Sequence, residues 1–344
     1  MIAATFSSAK NQEAATEFIY KQASSSLGKA SVREGSAHFA GTDSALTANE
    51  TKAVPNAWLV PSLAGAIAIG FNLPHMDPKF VLRIPREVLA DIFLGRIRQW
   101  SALAPWNPPL AGVDRNITLI VRSESSGTTD AFTGALSSFS PAWKALVGRS
   151  SLPEWPQPEG MNVIKAEGNA GVALQLKLNR YSIGYLSQVD AELYGVTSAS
   201  IQNKAGEFIA PSLQAVQSAM DTFETELSVL GGSGSKSFFL SIADPPDTSA
   251  KSYPIAMLSY FVFDVAKLAC DQLRDILFLI YWCVMLQRCA ACCIRPAFGL
   301  LHLACCTCAQ GMDGPPGGVD CDQPELLPCQ SESYSDLRRG DAAD

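Results

Sequence analysis

Between residues 54 and 190, apolar runs that read as buried strands alternate with stretches of helical spacing, and this alternation constrains the fold more than any other feature of the chain. "VPNAWLVPSLAGAIAIGFNLP", Val54 to Pro74, is mostly apolar and bounded by prolines, as a buried strand is. "LRIPREVLADIFLGRIRQW" follows, with Val88, Leu89, Ile92 and Phe93 at helical spacing and Gly95 as a stop. "NITLIVR" is another buried strand, "SSFSPAWKALVG" and "GNAGVALQLKLN" are helices, and "YSIGYLS" and "SYPIAMLSYFVF" return to strand character. Such a chain folds as an α/β protein with mainly parallel sheets, and its ligand sites lie beyond the carboxyl ends of strands, at helix N-termini.

One segment has that order in full. "NITLIVR" runs straight into "VRSESSGTTDAFT", Val121 to Thr133, where Asp130 and the apolar Ala131, Phe132 and Ala135 predict a helix from near Thr128. The first N–H groups of a helix lack intrahelical partners and carry partial positive charge, so an oxyanion satisfies them. Ser126, Gly127 and Thr128 offer backbone donors and hydroxyls, and Gly127 places no Cβ in the way. Arg122 ends the strand with a planar fork of donors, and Glu124 stands where it can hold that guanidinium. On local pattern alone, "SSGTTD" reads equally as an ordinary N-capped surface helix.

Composition narrows the partners. The 344 residues suffice for two lobes, each with its own core. A net charge of −7 without a Lys/Arg cluster excludes a nucleic-acid surface. His38, His75 and His302 form no metal-ligand or Ser-His-Asp spacing. "GGSGSKS" lacks P-loop spacing and reads as a flexible connection. The opening "MIAATFSSAK" shows no signal peptide, and the sequons at Asn49 and Asn116 matter only on a eukaryotic secretory route.

"HFAGTDSAL" (His38 to Leu46), "IFLGRIRQW", "VRSESSGTTDAFT", "GNAGV", "SIGY" and "SYPI" occur in the order found in the phosphate-binding proteins of ABC transporters. The chain resembles that family over roughly residues 3 to 285. The resemblance implies a two-lobed periplasmic-binding-protein-like fold of type II, α/β, with mostly parallel sheets and two hinge-crossing strands, Leu63 to Leu73 and Ile255 to Asp264. Residues 1–66 with 253–288 would form a discontinuous first lobe and 67–252 the second, leaving 289–344 as a Cys-rich, disordered tail. It implies one inorganic phosphate held by hydrogen bonds alone, with no metal or other cofactor. Its ligands would be Thr5, Phe6 (through its N–H), Ser25 and Asp43 from the first lobe, and Arg122, Ser126, Gly127 and Thr128 from the second. Asp43 would accept the O–H of protonated phosphate, which sulfate lacks. A monomer in the periplasm or outside the cell, serving an ABC permease in uptake or sensing, completes the implication. Two rivals stay open: a phosphate-ester hydrolase with Ser126 or Thr128 as nucleophile and Asp43 as base, and a remnant that no longer binds.

The chain also departs from that family. The segment from Phe6 to Tyr20 is shorter by roughly two helical turns, and "ASSSLG" keeps only Gly28 of a glycine-rich loop, which predicts weaker binding. "ILFLIYWCVML", 11 apolar residues, falls short of the roughly 20 that span a bilayer, and predicts a buried helix of the first lobe, with a membrane-associated segment as the alternative. All ten cysteines lie between Cys270 and Cys329, with Cys289, Cys292, Cys293, Cys305, Cys306 and Cys308 clustered. Their spacing matches no familiar zinc module, and disulfides or lipidation are equally open.

Overall fold

A computed structural model describes residues 18–21, 23–77, 79–223, 239–246 and 249–289. Thr5, Phe6, the "GGSGSKS" stretch and the cysteines beyond Cys289 lie outside the described residues.

The chain enters with helix α1 (Ser25–Glu34), strand β1 (Ala40–Thr42) and helix α2 (Ala48–Ala53), the last opened by a reciprocal Thr47–Glu50 cap. The long strand β2 (Ala57–Asn72) follows. Next come β3 (Arg83–Ile84), α3 (Arg86–Phe93), β4 (Thr118–Arg122), α4 (Gly127–Phe139) and α5 (Pro141–Leu146). After them stand β5 (Asn162–Ala166), α6 (Gly168–Leu178), β6 (Ser182–Ser187) and α7 (Gln188–Leu193). The short strands β7 (Thr197–Ser198), β8 (Ser200–Gln202) and β9 (Phe208–Ile209) lead to α8 (Leu213–Asp221), β10 (Ala256–Asp264) and α9 (Cys270–Cys289). Each strand and helix foreseen from the apolar spacing is present, and Gly95 stops α3 with φ at 71°.

Seven strands form one sheet in the order β1-β10-β2-β6-β4-β5, with β7 also on β2; β3, β8 and β9 form a second, small sheet. The parallel arrangement is found in β6-β4-β5 and between β3 and β8, while β10 and β2 are antiparallel to each other, as are β2 and β6. β2 is the spine: Ala57 to Ala66 pair with β10, and Ile67 to Asn72 pair with β6. At the change of partner, Ile67 N–H donates to Ile255 O at 3.0 Å, and its carbonyl accepts from the buried Tyr253 hydroxyl at 2.8 Å. The ladder therefore crosses that junction with both backbone groups of Ile67 satisfied.

Two cores flank the junction. Val32, Leu59, Leu258, Tyr260 and Val262 pack at the first end of β2. A larger core at the other end includes Phe93 and Phe132, edge to face at 4.9 Å, with Tyr185 stacked on Phe132 at 4.4 Å. These rings support α4 from below. In α9, Leu273, Ile276 and Ile280 pack on Phe263, so the first turns of the helix are covered there. Among the described residues, no helix is long and apolar enough to cross a membrane.

Candidate functional site

Three β-branched or long apolar residues, Leu119, Ile120 and Val121, bury β4 between two parallel neighbours, so the strand delivers Arg122 to a fixed point at its carboxyl end. Arg122 is itself buried, and three of its five guanidinium N–H donors are held within the protein. Its Nε donates to Glu124 Oε1 at 2.8 Å, Nη2 donates to the same oxygen, and Nη1 donates to Asn169 Oδ1 at 3.0 Å. Gly168 N–H, opening α6, also donates to Glu124 Oε1 at 3.2 Å. Burial alone would raise the Glu124 carboxyl; the hydrogen bonds and charge of Arg122 outweigh it and hold Glu124 below its usual range. The sequence assigned Glu124 this bracing position, and the structure adds Asn169 as the second brace.

The turn after Arg122 opens α4 with Ser126 as N-cap, its hydroxyl accepting from Thr129 N at 3.4 Å. The helix starts at Gly127, one residue ahead of the expected start. Beneath it, Tyr185 OH accepts from Arg122 N at 3.2 Å and shares a 2.7 Å hydrogen bond with Thr129 Oγ1. Burial pushes the Tyr185 phenol up to about 12, so it remains a neutral hydrogen-bonding post.

Facing α4 stands the N-terminus of α1. Ser25 Oγ accepts from Asp43 N at 3.1 Å, which ties the first turn of α1 to the loop after β1. Gly127 lies against both: a β carbon added there would sit 2.3 Å from Ser25 Oγ, 2.8 Å from Asp43 Cβ and 3.0 Å from Asp43 N. Glycine is therefore required at 127 by close approach, not by an unusual φ. The structure brings Ser25, Asp43, Arg122, Ser126, Gly127 and Thr128 to one place, from positions 103 residues apart at the outer limits, Ser25 to Thr128.

Asp43 lies at the centre of this arrangement. Oδ1 accepts from Ser259 Oγ at 2.6 Å and Oδ2 from Thr128 Oγ1 at 3.3 Å. Its carboxyl keeps some opening to the cleft, yet burial pushes its pKa above the usual range; the Ser259 and Thr128 hydrogen bonds and the Arg122 charge oppose that shift without cancelling it. A carboxylate has about four lone-pair positions, so two donors leave it able to accept from a ligand as well. Ser259 was not foreseen. It reaches Asp43 because the β2–β10 register shifts between Ser259 and Tyr260, opposite Pro61, which has no N–H for the ladder. The extra residue, Ser62, donates its hydroxyl to Ser259 O at 3.0 Å. Pro61, inside the apolar run from Val54 to Pro74 read as a buried strand, was the sequence signal for this bulge.

A further pair of hydroxyls links the two helix openings: Ser26 Oγ and Ser125 Oγ share a 2.6 Å hydrogen bond, and Ser125 continues to Ser151 Oγ at 2.9 Å. The arrangement gathers amide and hydroxyl donors, one guanidinium and one acceptor, a set of groups that suits a small tetrahedral anion. Among the described residues, no group of three or more His, Cys, Asp or Glu is placed to hold a metal ion.

Comparison with known proteins shows the family of the chain. The profile of a PBP superfamily domain matches residues 2–267. The phosphate-binding protein PstS of Pasteurella multocida (strain Pm70) is 37% identical over 171 residues, 49% of this chain and 48% of that protein. PstS of Haemophilus influenzae is 31% identical over 224 residues, 64% of this chain and 63% of its own length. PstS of Xylella fastidiosa (strain Temecula1) is 30% identical over 267 residues, covering 77% of this chain and 69% of that protein. The chain thus spans about half the length of the first of these relatives and under two thirds of the second. In fold it is similar to a high affinity periplasmic phosphate-binding protein solved with phosphate, at a TM-score of 0.58 and 21% identity over 78% of this chain and 80% of that one. It is likewise similar to a phosphate-binding protein from Stenotrophomonas maltophilia, at 0.52 and 21% over 80% and 81%. The chain belongs to the PBP superfamily and, within it, to the family of the PstS phosphate-binding proteins.

Proposed function

We propose that this protein binds inorganic phosphate, without chemical change, between the openings of α1 and α4, and delivers it for uptake through an ABC permease. The observation that carries this reading is Asp43, an acceptor fixed by Ser259 and Thr128 in the middle of a ring of donors. Phosphate at neutral pH presents an O–H to that carboxylate, whereas sulfate would set two acceptors against each other. Arg122, Ser126, Gly127 and Thr128 act as ligands from one side and Ser25 with Asp43 from the other; Thr5 and Phe6 complete the ring. In this reading residues 1–66 with 253–288 form one lobe and 67–252 the other, and β2 and β10 are the strands about which they close. The protein works outside the cytoplasm, as a monomer.

The family relationship and the Asp43 geometry support binding over hydrolysis, since Ser126 Oγ serves as the cap of α4 and Thr128 Oγ1 donates to Asp43. The remnant reading loses ground because every described residue of the expected ligand set converges. Equilibrium dialysis against labelled phosphate, with sulfate as competitor, tests the proposal: saturable binding that sulfate fails to displace is expected, and absence of saturable binding would overturn it. Small-angle scattering with and without phosphate tests closure, for which unchanged profiles would count against the two-lobe division.

A further inference from the structure

Lys29 lies one turn after Ser25 on the same face of α1 and is only 7% exposed. A buried ammonium needs a partner for each of its three N–H donors. Nζ has them: Glu50 Oε2 at 3.0 Å, Ala45 O at 3.0 Å and Ser44 Oγ at 3.2 Å. No donor is left over for an anion, so what Lys29 does for the site it does through these neighbours. Two of them, Ser44 and Ala45, directly follow Asp43 in the chain. The loop they form is closed from its other end by Thr42, whose Oγ1 donates to Ser44 O at 3.1 Å and accepts from Ser44 N at 3.2 Å. Ser25 and Lys29 therefore grip this loop at two points, at Asp43 N and just beyond it. The helix comes this near because Gly28 has no side chain: a β carbon there would sit 3.0 Å from Ala40 Cβ and 3.2 Å from Gly41 O. The third partner fixes the ammonium itself. Glu50 Oε2 also accepts from Thr47 N at 2.7 Å in the reciprocal cap of α2, so Lys29 joins α1, the Asp43 loop and α2 through one atom. Burial alone would raise the Glu50 carboxyl; the Thr47 N–H and the hydrogen bond and charge of Lys29 outweigh it and hold Glu50 below its usual range.

Resting on the phosphate-binding reading above, we propose that Lys29 is a positioning residue for the choice between anions: it holds the backbone from Thr42 to Ala45 so that the Asp43 carboxylate stays turned toward Ser259, Thr128 and the bound ion. A carboxylate rejects sulfate only where it cannot turn aside. The bonds of the Asp43 side chain do not by themselves prevent that, since the one to Thr128 Oγ1 is long, 3.3 Å. The strand that leads into the loop, β1, has three residues and stands at the edge of the sheet, paired with β10. The firm hold on the loop therefore comes from α1, and Lys29 makes two of its contacts. With an apolar side chain at 29 the loop is left to the Ser25 and Thr42 bonds, and Asp43 can swing away from an incoming anion. Phosphate then loses the acceptor for its O–H, while sulfate loses the group that repels it. A buried ion pair that served stability alone would make no distinction between the two anions.

The test is calorimetric titration of the full chain with orthophosphate, alone and against excess sulfate, on the parent and on Lys29→Met, Ser44→Ala and Val32→Ala, with melting temperatures measured alongside. Lys29→Met keeps the length of the side chain and removes its donors; Ser44→Ala removes one of the two loop contacts; Val32→Ala loosens the same helix within its buried core. Expected is a phosphate-over-sulfate preference lower by about three- to tenfold in Lys29→Met and by about two- to threefold in Ser44→Ala, the scale of one or two lost hydrogen bonds, while Val32→Ala melts lower and keeps the parent's preference. A parent that binds no orthophosphate overturns the phosphate reading and this inference with it. A parent that prefers phosphate, with Lys29→Met preferring it equally, overturns this inference alone. So do equal losses of both anions in Lys29→Met, which would mark a general effect of charge, and a matching fall in preference in Val32→Ala, which would mark mere loosening of α1. Should Lys29→Met fail to fold, Ser44→Ala decides, and an unchanged preference there overturns the proposal.

Discussion

The two helix openings that face each other across the site are built very differently. At α4 the N-cap Ser126 is buried, the preceding strand is held on both sides, and Arg122 and Tyr185 tie turn, helix and sheet into one network. At α1 the cap bond, Leu27 N to Ser24 Oγ at 3.3 Å, is exposed, and the adjoining strand β1 has three residues paired with β10. The difference divides the work of recognition. In the proposed reading, the α4 side supplies fixed charge and therefore most of the affinity, and the α1 side positions Asp43 and therefore supplies the choice between anions.

The largest expected effect falls on the α4 side. Arg122→Ala removes the one guanidinium and strands Glu124, a kind of loss that costs about 2–5 kcal/mol at buried charged contacts, so phosphate affinity measured by calorimetry should fall at least thirtyfold. Arg122→Lys should recover little, since one ammonium cannot reproduce a fork held by Glu124 and Asn169. Next is the contact between the two sides. Gly127→Ala forces a β carbon into Ser25 and the Asp43 backbone, an overpacking of about 1–3 kcal/mol. Phosphate affinity should drop five- to a hundredfold with α4 still folded by circular dichroism, and an unchanged affinity would mean that the two sides need not meet.

Asp43→Asn should change choice more than strength: the preference for phosphate over sulfate should shrink by about tenfold, as expected when the unsatisfied-acceptor penalty of about 1–3 kcal/mol is lifted. Its stability also tests the burial. Because burial raises the folded-state pKa of Asp43, the stability linked to its proton is fully present below about pH 3.9 and is lost as pH rises through the folded pKa. In ligand-free protein, Asp43→Asn should therefore gain on the parent as pH climbs from about 3 to about 7 in denaturant titrations; a constant difference would argue against a raised pKa. The smallest effect belongs to Ser26→Ala, which deletes one part-buried hydroxyl bond between the openings, worth about 0.5–1.5 kcal/mol at most. Phosphate affinity should fall by less than about tenfold, with the phosphate-to-sulfate preference unmoved.

What could be read from the sequence follows the same division. The strand "NITLIVR", the turn and the start of α4 were legible because apolar spacing, Ser capping and Gly act over a few neighbouring residues, and Arg122 with Glu124 sit within that reach. Ser25 and Asp43 came only through family resemblance, for their meeting with Gly127 depends on how β1 and α1 pack. Ser259 was out of reach altogether: it lies 216 residues from Asp43, and its aim depends on a one-residue slip in pairing opposite Pro61. Tyr185 could be placed in a strand but not beneath Arg122, since period-two patterning tells which face a residue takes and not which helix covers it.

The continuous spine β2 has a consequence for how the protein comes apart. The same sixteen residues supply the inter-strand bonds of both halves, and Tyr253 closes the seam at Ile67, so neither core can be dismantled while its neighbour stays intact. Melting should follow a single transition with coincident probes, and the amides around Ile67 should be the last to exchange their hydrogens with solvent deuterium.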